Sequence, residues 1–184
     1  MDKLSKKRAV LVGILIIAAY SMLTYDITGS EIFGFITDVI SGLSVIGIAL
    51  LMYPIFSKSN APLFLKTYMI SRIVEGLLMV FGGGLIVFGA DDSIRQLMYA
   101  NIHIWFFILG AATFYWLFLV TETIPKFISV WGLIATGLLL LSSVMGLFGI
   151  ESNYMSILLL PMILNELFLS IWLMVKGFRK PEEL

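Results

Sequence analysis

Five ionisable residues stand inside stretches that are otherwise apolar: Asp38, Arg72, Glu75, His103 and Glu166, the last preceded by Asn165. A charged side chain at the centre of a bilayer costs about 2.5–3.5 kcal/mol on insertion scales, so such groups turn toward a protein interior and find partners there. Arg72 and Glu75, three residues apart, share a helix face. Three kinds of chemistry are open to this set. An Arg–Glu pair can fix helix register. A polar pocket can bind or sense a small amphipathic ligand, lipid head group or cation through Arg72, Glu75, Glu166, Asp38, His103 and Asn165. The carboxyls and the imidazole can also move protons on a membrane-dissolved substrate, since buried acids and bases suit that work.

The elements that position these residues follow from composition. Of 184 residues, 60% are hydrophobic, mean hydropathy is +1.02 and only 13% are charged, about half the share of a soluble domain. That composition belongs to an integral membrane protein of the all-α class. A spanning helix needs about 20 apolar residues, and six stretches qualify at or near that length: 9–25, 32–56, 63–89, 97–120, 127–149 and 156–175. Their connections are short and carry turn chemistry, as in Lys58-Ser-Asn-Ala-Pro62 and Thr121-Glu-Thr-Ile-Pro125. Short links place sequential helices antiparallel in one bundle. Residues 1–184 are read as a single transmembrane domain with no internal repeat.

Charge bias sets the orientation. With the N-terminus inside, Lys3, Lys6, Lys7, Arg8, Lys58, Lys66, Lys126, Lys176, Arg179 and Lys180 lie on the cytoplasmic side, against Arg95 outside. Both termini are therefore expected in the cytoplasm, with the protein in the cell membrane. Trp116, Trp131 and Trp172 fall near the inner helix ends, where an interfacial aromatic belt belongs.

At 1.5 Å rise per residue, Asp38 and His103 come roughly 9 Å below the outer boundary, and Glu166 near mid-membrane. Arg72 and Glu75 come roughly 14 and 18 Å from the inner boundary, so all five groups can meet in one cluster open toward the outer leaflet. One positive charge against three carboxyls is unbalanced, and Glu166 or Asp38 is expected to be protonated or bound to a cation. Gly34, Asp38 and Gly42 share a face that permits close helix approach, which gives Asp38 the alternative role of an interhelical hydrogen-bonding group. His103, beside Trp105, Phe106 and Phe107, equally suits aromatic packing. Gly82-Gly-Gly84 either kinks the third helix or lets a neighbour approach closely.

Absences narrow the reaction classes. With one histidine and no cysteine, multi-histidine zinc sites, His-Glu-x-x-His proteases and thiolate chemistry are excluded within one chain, so no metal is expected. No Gly-x-Ser-x-Gly elbow is present. Net charge is zero, so nucleic acid is not an expected partner; membrane lipids and a small amphipathic ligand are, and no cofactor is implied. Binding or sensing is the leading reading, with an intramembrane enzyme and a structural accessory subunit as alternatives.

The run Ile124-Pro-Lys-Phe-Ile-Ser-Val-Trp-Gly-Leu-Ile134 is followed by Leu164-Asn-Glu-Leu-Phe-Leu-Ser-Ile-Trp-Leu-Met-Val-Lys-Gly-Phe178. Together with Arg72-Ile-Val-Glu75-Gly76, these segments resemble the bacterial membrane proteins grouped as the domain of unknown function 4386 family. The resemblance implies a multi-pass bundle with Arg72, Glu75 and Glu166 as characteristic polar positions, and Trp131-Gly132 and Lys176-Gly177-Phe178 as inner-boundary features. It implies no activity.

Overall fold

The computed structural model describes residues 3–23, 27–89, 91–150 and 155–179, and among them every regular element is helical. Helix α1 (Lys3–Ala19) ends in a 3₁₀ turn, Tyr20–Leu23; α2 (Glu31–Phe56) and α3 (Pro62–Val87) follow. A short α4 (Asp92–Met98) passes through a π-helical turn, Tyr99–His103, into α5 (Ile104–Thr121). Then come α6 (Lys126–Leu147), a 3₁₀ turn at Met155–Leu159, and α7 (Leu160–Val175). The stretch expected at 97–120 therefore starts earlier and is interrupted, while the first and last spans, expected at 9–25 and 156–175, each spend one end as 3₁₀ turn. Hydrophobicity reports apolar length and is blind to such changes of winding.

Four helical segments are long and apolar enough to cross a membrane: Glu31–Phe56, Asn101–Thr121, Lys126–Leu147 and Ile157–Val175. Leu43, Leu50, Leu77, Phe81, Leu109, Ile134, Leu141, Leu164 and Ile171 all point outward and stay exposed. So much outward apolar surface suits lipid and not water. This is a membrane-embedded helical protein.

Packing runs around a closed ring. Each long helix packs on the next, α1 on α2, α2 on α3, α3 on α5, α5 on α6 and α6 on α7, and α7 returns to α1. The contacts are antiparallel. Gly42 faces Gly76 while Asp38 faces Gly83, and the seam between α1 and α7 pairs Gly13 with Ser170 and Tyr20 with Glu166. The N-terminus, the α2–α3 link, the α5–α6 link and the C-terminal segment thus share one end, which carries Lys6, Lys7, Arg8, Lys58, Lys126, Lys176 and Arg179. We call it the basic end. There Phe178 is buried and the Arg179 N–H donates to the Thr123 carbonyl at 2.7 Å, tying the tail to the α5–α6 link.

The two halves of the ring differ in filling. Toward the basic end, Phe56 meets Tyr68, Phe114 and Phe118 edge-on at centroid distances of 5.4, 5.9 and 5.1 Å. Met52, Leu117, Ile124, Ile128 and Leu173 complete a solid core. Toward the opposite end the ring is hollow. At the α2–α3 crossing, backbone meets backbone, because a Cβ on Gly42 would strike the Gly76 carbonyl. Gly42→Ala should therefore destabilise the bundle by about 1–3 kcal/mol, the usual range for overpacking, whereas Gly137→Ala, whose Cβ would meet nothing within 4 Å, should not. Thermal unfolding of the two variants in one detergent checks the contrast.

Candidate functional site

The hollow half holds a cavity of about 630 Å³ along the ring axis, and every long helix contributes to its wall. Most of the lining is apolar: Ile16, Ile48, Met79, Phe107, Leu139 and Ile163 are representative. Seven lining residues are polar: Tyr20, Arg72, Glu75, Arg95, Tyr99, His103 and Glu166. The cavity ends on Phe114, which belongs to the aromatic core of the basic half, and reaches the other end at Leu23 and Leu159, both exposed.

Helix α3 sets the floor. Arg72, Glu75 and Met79 fall on one face by their spacing, and Arg72 Nη1 donates to Glu75 Oε2 at 2.8 Å with both side chains almost fully buried. The guanidinium lies over Phe107 and Phe114, 5.4 and 5.9 Å from their ring centres, which offsets part of its lost hydration. Gly110 makes this possible, since any side chain there would collide with the Arg72 guanidinium.

The π-helical turn places two further groups. Tyr99 and His103 both reach the cavity and lie ring to ring at 5.1 Å, and His103 also stacks near Phe107 at 6.4 Å. Such turns are rare insertions that re-aim side chains and concentrate at functional sites. His103 Nε2 has no hydrogen-bond partner and sits 3.9 Å from Glu75 Oε1, too far for a bond between them. It is nevertheless close enough for one donor atom to reach both. Across the ring, the Tyr20 hydroxyl donates to Glu166 Oε2 at 2.6 Å, joining α1 to α7. Among the described residues Glu166 forms no salt bridge, although Arg72 and Glu75 both act on it through space.

Of the six residues expected to form one site, the structure gathers Arg72, Glu75, His103 and Glu166 and sets two apart. Asp38 is fully buried behind the wall between α2 and α3, where its carboxylate accepts a bidentate contact from Arg95, Nε to Oδ2 at 3.1 Å and Nη2 to Oδ1 at 3.0 Å. Asn165 points away from the cavity, its Nδ2 donating to the Ile128 carbonyl at 3.0 Å and so pinning α7 to α6. Both serve helix–helix contacts, the alternative already legible for Asp38. The expected balance of one positive charge against three carboxyls also changes. Arg95, read from sequence as an outer-loop residue, is buried and stacks over Tyr99 at 4.6 Å. Two guanidinium groups thus meet three carboxyls, and Asp38 does not need the proton or cation expected for it.

Gly82 and Gly83 owe their presence to this arrangement: a Cβ on the first would meet the Tyr99 ring, and one on the second the Asp38 carboxylate. Helix α3 runs unbroken through them, so close approach and not a kink is their role.

Comparison with known families now bears on the site. Residues 92–177 match the domain of unknown function family DUF4386. This segment belongs to that family. No curated protein and no solved structure matches the chain. The family segment runs from α4 through α7 and supplies Arg95, Tyr99, His103 and Glu166 to the cavity, while Tyr20, Arg72 and Glu75 come from the helices before it.

The Asp38–Arg95 pair invites a double-mutant cycle. Either single change to alanine strands a buried charge, and such losses run to about 3–5 kcal/mol. Asp38→Ala with Arg95→Ala should be less destabilised than the sum of the singles, with a coupling of about 0.5–3 kcal/mol. Additive losses in chemical denaturation would mean that the bidentate contact contributes nothing.

Proposed function

We propose that this membrane protein binds a small amphipathic ligand in its central cavity and that the bundle crosses the membrane six times, with both termini in the cytoplasm. One observation carries the binding reading: a cavity of about 630 Å³ with apolar walls closes on a floor of ionisable groups, Arg72, Glu75, His103 and Glu166. Sites for small molecules are of this size and make-up, mostly apolar with a few placed polar groups. A purely structural ion pair needs no such void. The apolar walls suit a hydrocarbon body and the floor suits a polar head, so the ligand partitions from the membrane or from lipid.

Catalysis is the second reading, and it draws on the juxtaposition of His103 Nε2 and Glu75 Oε1 at 3.9 Å. Against it, no serine, threonine or lysine lines the cavity among the described residues, so covalent chemistry lacks its usual nucleophiles. Binding is therefore the function favoured.

The orientation follows the positive-inside rule, since the basic end gathers the lysines and arginines outside the bundle core. The cavity then faces the outer leaflet. Because the chain has no cysteine, Lys58→Cys and Asp91→Cys each introduce a single reporter at an exposed site on opposite ends. In intact cells, an impermeant maleimide should label Asp91→Cys and spare Lys58→Cys; the reverse pattern would invert the protein.

Ligand occupancy is tested by blocking the cavity. Ala19 lines it, and Ala19→Trp should fill the space between α1 and α7. Native mass spectrometry of the detergent-purified wild type should show a bound small molecule or lipid that Ala19→Trp, folded and monodisperse, has lost. Equal occupancy in both proteins would remove the cavity from consideration.

A further inference from the structure

We propose that the ligand's head group is a protonated amine, so that the cavity selects lipophilic cations; this rests on the binding reading above and specifies it. The inference starts from pairing. Arg95 is held bidentately by Asp38, and Arg72 is held by Glu75 at 2.8 Å. Each guanidinium thus has its own carboxylate, and Glu166 is the carboxyl left over among the described residues, held by the neutral Tyr20 hydroxyl. With all five groups ionised and His103 neutral, the core carries one negative charge more than positive. A bundle interior tolerates an unpaired charge poorly, and a ligand that brings the missing positive charge gains from every carboxylate facing it.

Acceptor geometry points the same way. Oε2 of Glu75 is taken by Arg72, but Oε1 has no printed donor within hydrogen-bond range and stands 3.9 Å from the unpartnered Nε2 of His103. His103 is 94% buried, so this nitrogen has no route to bulk water. An ammonium carries three N–H donors and no acceptor. Placed beside Glu75 and Glu166, it can donate to a carboxylate and to the neutral imidazole together. An anionic head would add a fourth negative charge and meet Arg72 already engaged. An inorganic cation fits less well, because no three histidine or acidic side chains converge as metal ligands among the described residues, and the apolar walls would be left without a partner.

Three probes of equal chain length separate the outcomes: octylamine, octanoate and octanol, titrated below their micellar concentrations into wild-type protein in nanodiscs at pH 7 and followed by calorimetry. Octylamine should bind at least about tenfold more tightly than the other two, the least expected of a charge-assisted hydrogen bond. Glu166→Gln should bring octylamine down to the level of octanol and leave octanol unchanged. Tyr20→Phe, which keeps the carboxylate and frees its second oxygen, should keep the preference, and it decides the matter if Glu166→Gln does not fold. Equal binding of all three, lost in Ala19→Trp, would overturn the amine proposal while the binding reading stands. A preference for octanoate, or an octylamine preference unaffected by Glu166→Gln, would also overturn it. No binding of any probe to a wild type that carries a native lipid in the cavity would reject the amine head group alone; no binding with no native occupant would reject both readings.

Discussion

Charge neutralisation inside an apolar bundle is the constraint on which the rest of this structure depends. Two guanidinium groups and three carboxyls sit among side chains that offer little solvation, and separating one such pair costs about 3–5 kcal/mol. The helices pack so as to prevent it. Glycines stand where the charged groups need room: Gly110 against Arg72 and Gly83 against Asp38. Aromatic faces of Phe107, Phe114 and Tyr99 cover the guanidinium planes. The close Gly42–Gly76 crossing holds α2 against α3 so that Asp38 can reach across to α4.

Filling is uneven along the axis, and that unevenness separates scaffold from site. In the basic half, large rings interlock around Phe56 and leave no path through the bundle. In the other half, the same helices diverge around smaller aliphatic residues, and their polar groups face a void. A continuous pore would need both halves hollow. The arrangement is a cup. Its seam between α1 and α7 is tied by the Ser170 hydroxyl on the Gly13 carbonyl and by Tyr20 on Glu166. The second tie lies on the cavity wall, so a ligand competing for Glu166 also acts on the closure of the ring.

The sequence made the helical class, the buried polar centre and four of its members legible, because a charge in an apolar run is conspicuous whatever the fold. Arg95 was misread for the same reason. It follows two aspartates at a helix start and so resembles a loop residue, and only the fold brings it over Tyr99 to Asp38. Tyr20 gave no signal at all, since a tyrosine near a span end is ordinary and its partner lies 146 residues away. Asn165 and Glu166 illustrate the limit of adjacency. Neighbours on a helix point about 100° apart, so one lines the cavity while the other bonds to α6. The Gly82-Gly-Gly84 run was legible as an anomaly, but which of kink or contact it served needed the positions of Asp38 and Tyr99.

The polar contacts also show why the family segment does not contain its own chemistry. Asp38 meets Arg95, Glu75 approaches His103, and Tyr20 meets Glu166; in each case one partner precedes residue 92 and the other follows it. Arg72–Glu75 is the pair lying wholly outside the segment, and its guanidinium rests on Phe107 and Phe114, which lie within it. Helices α4 to α7 alone would hold Arg95 and Glu166 in an apolar setting with their partners gone. The two halves are therefore bound by electrostatic necessity as well as by packing, and the cavity is a joint property of both. Any ligand chemistry assigned to this family segment has to be read with Tyr20, Arg72 and Glu75 in place, because they provide the acceptors and the countercharge that determine what the floor can hold.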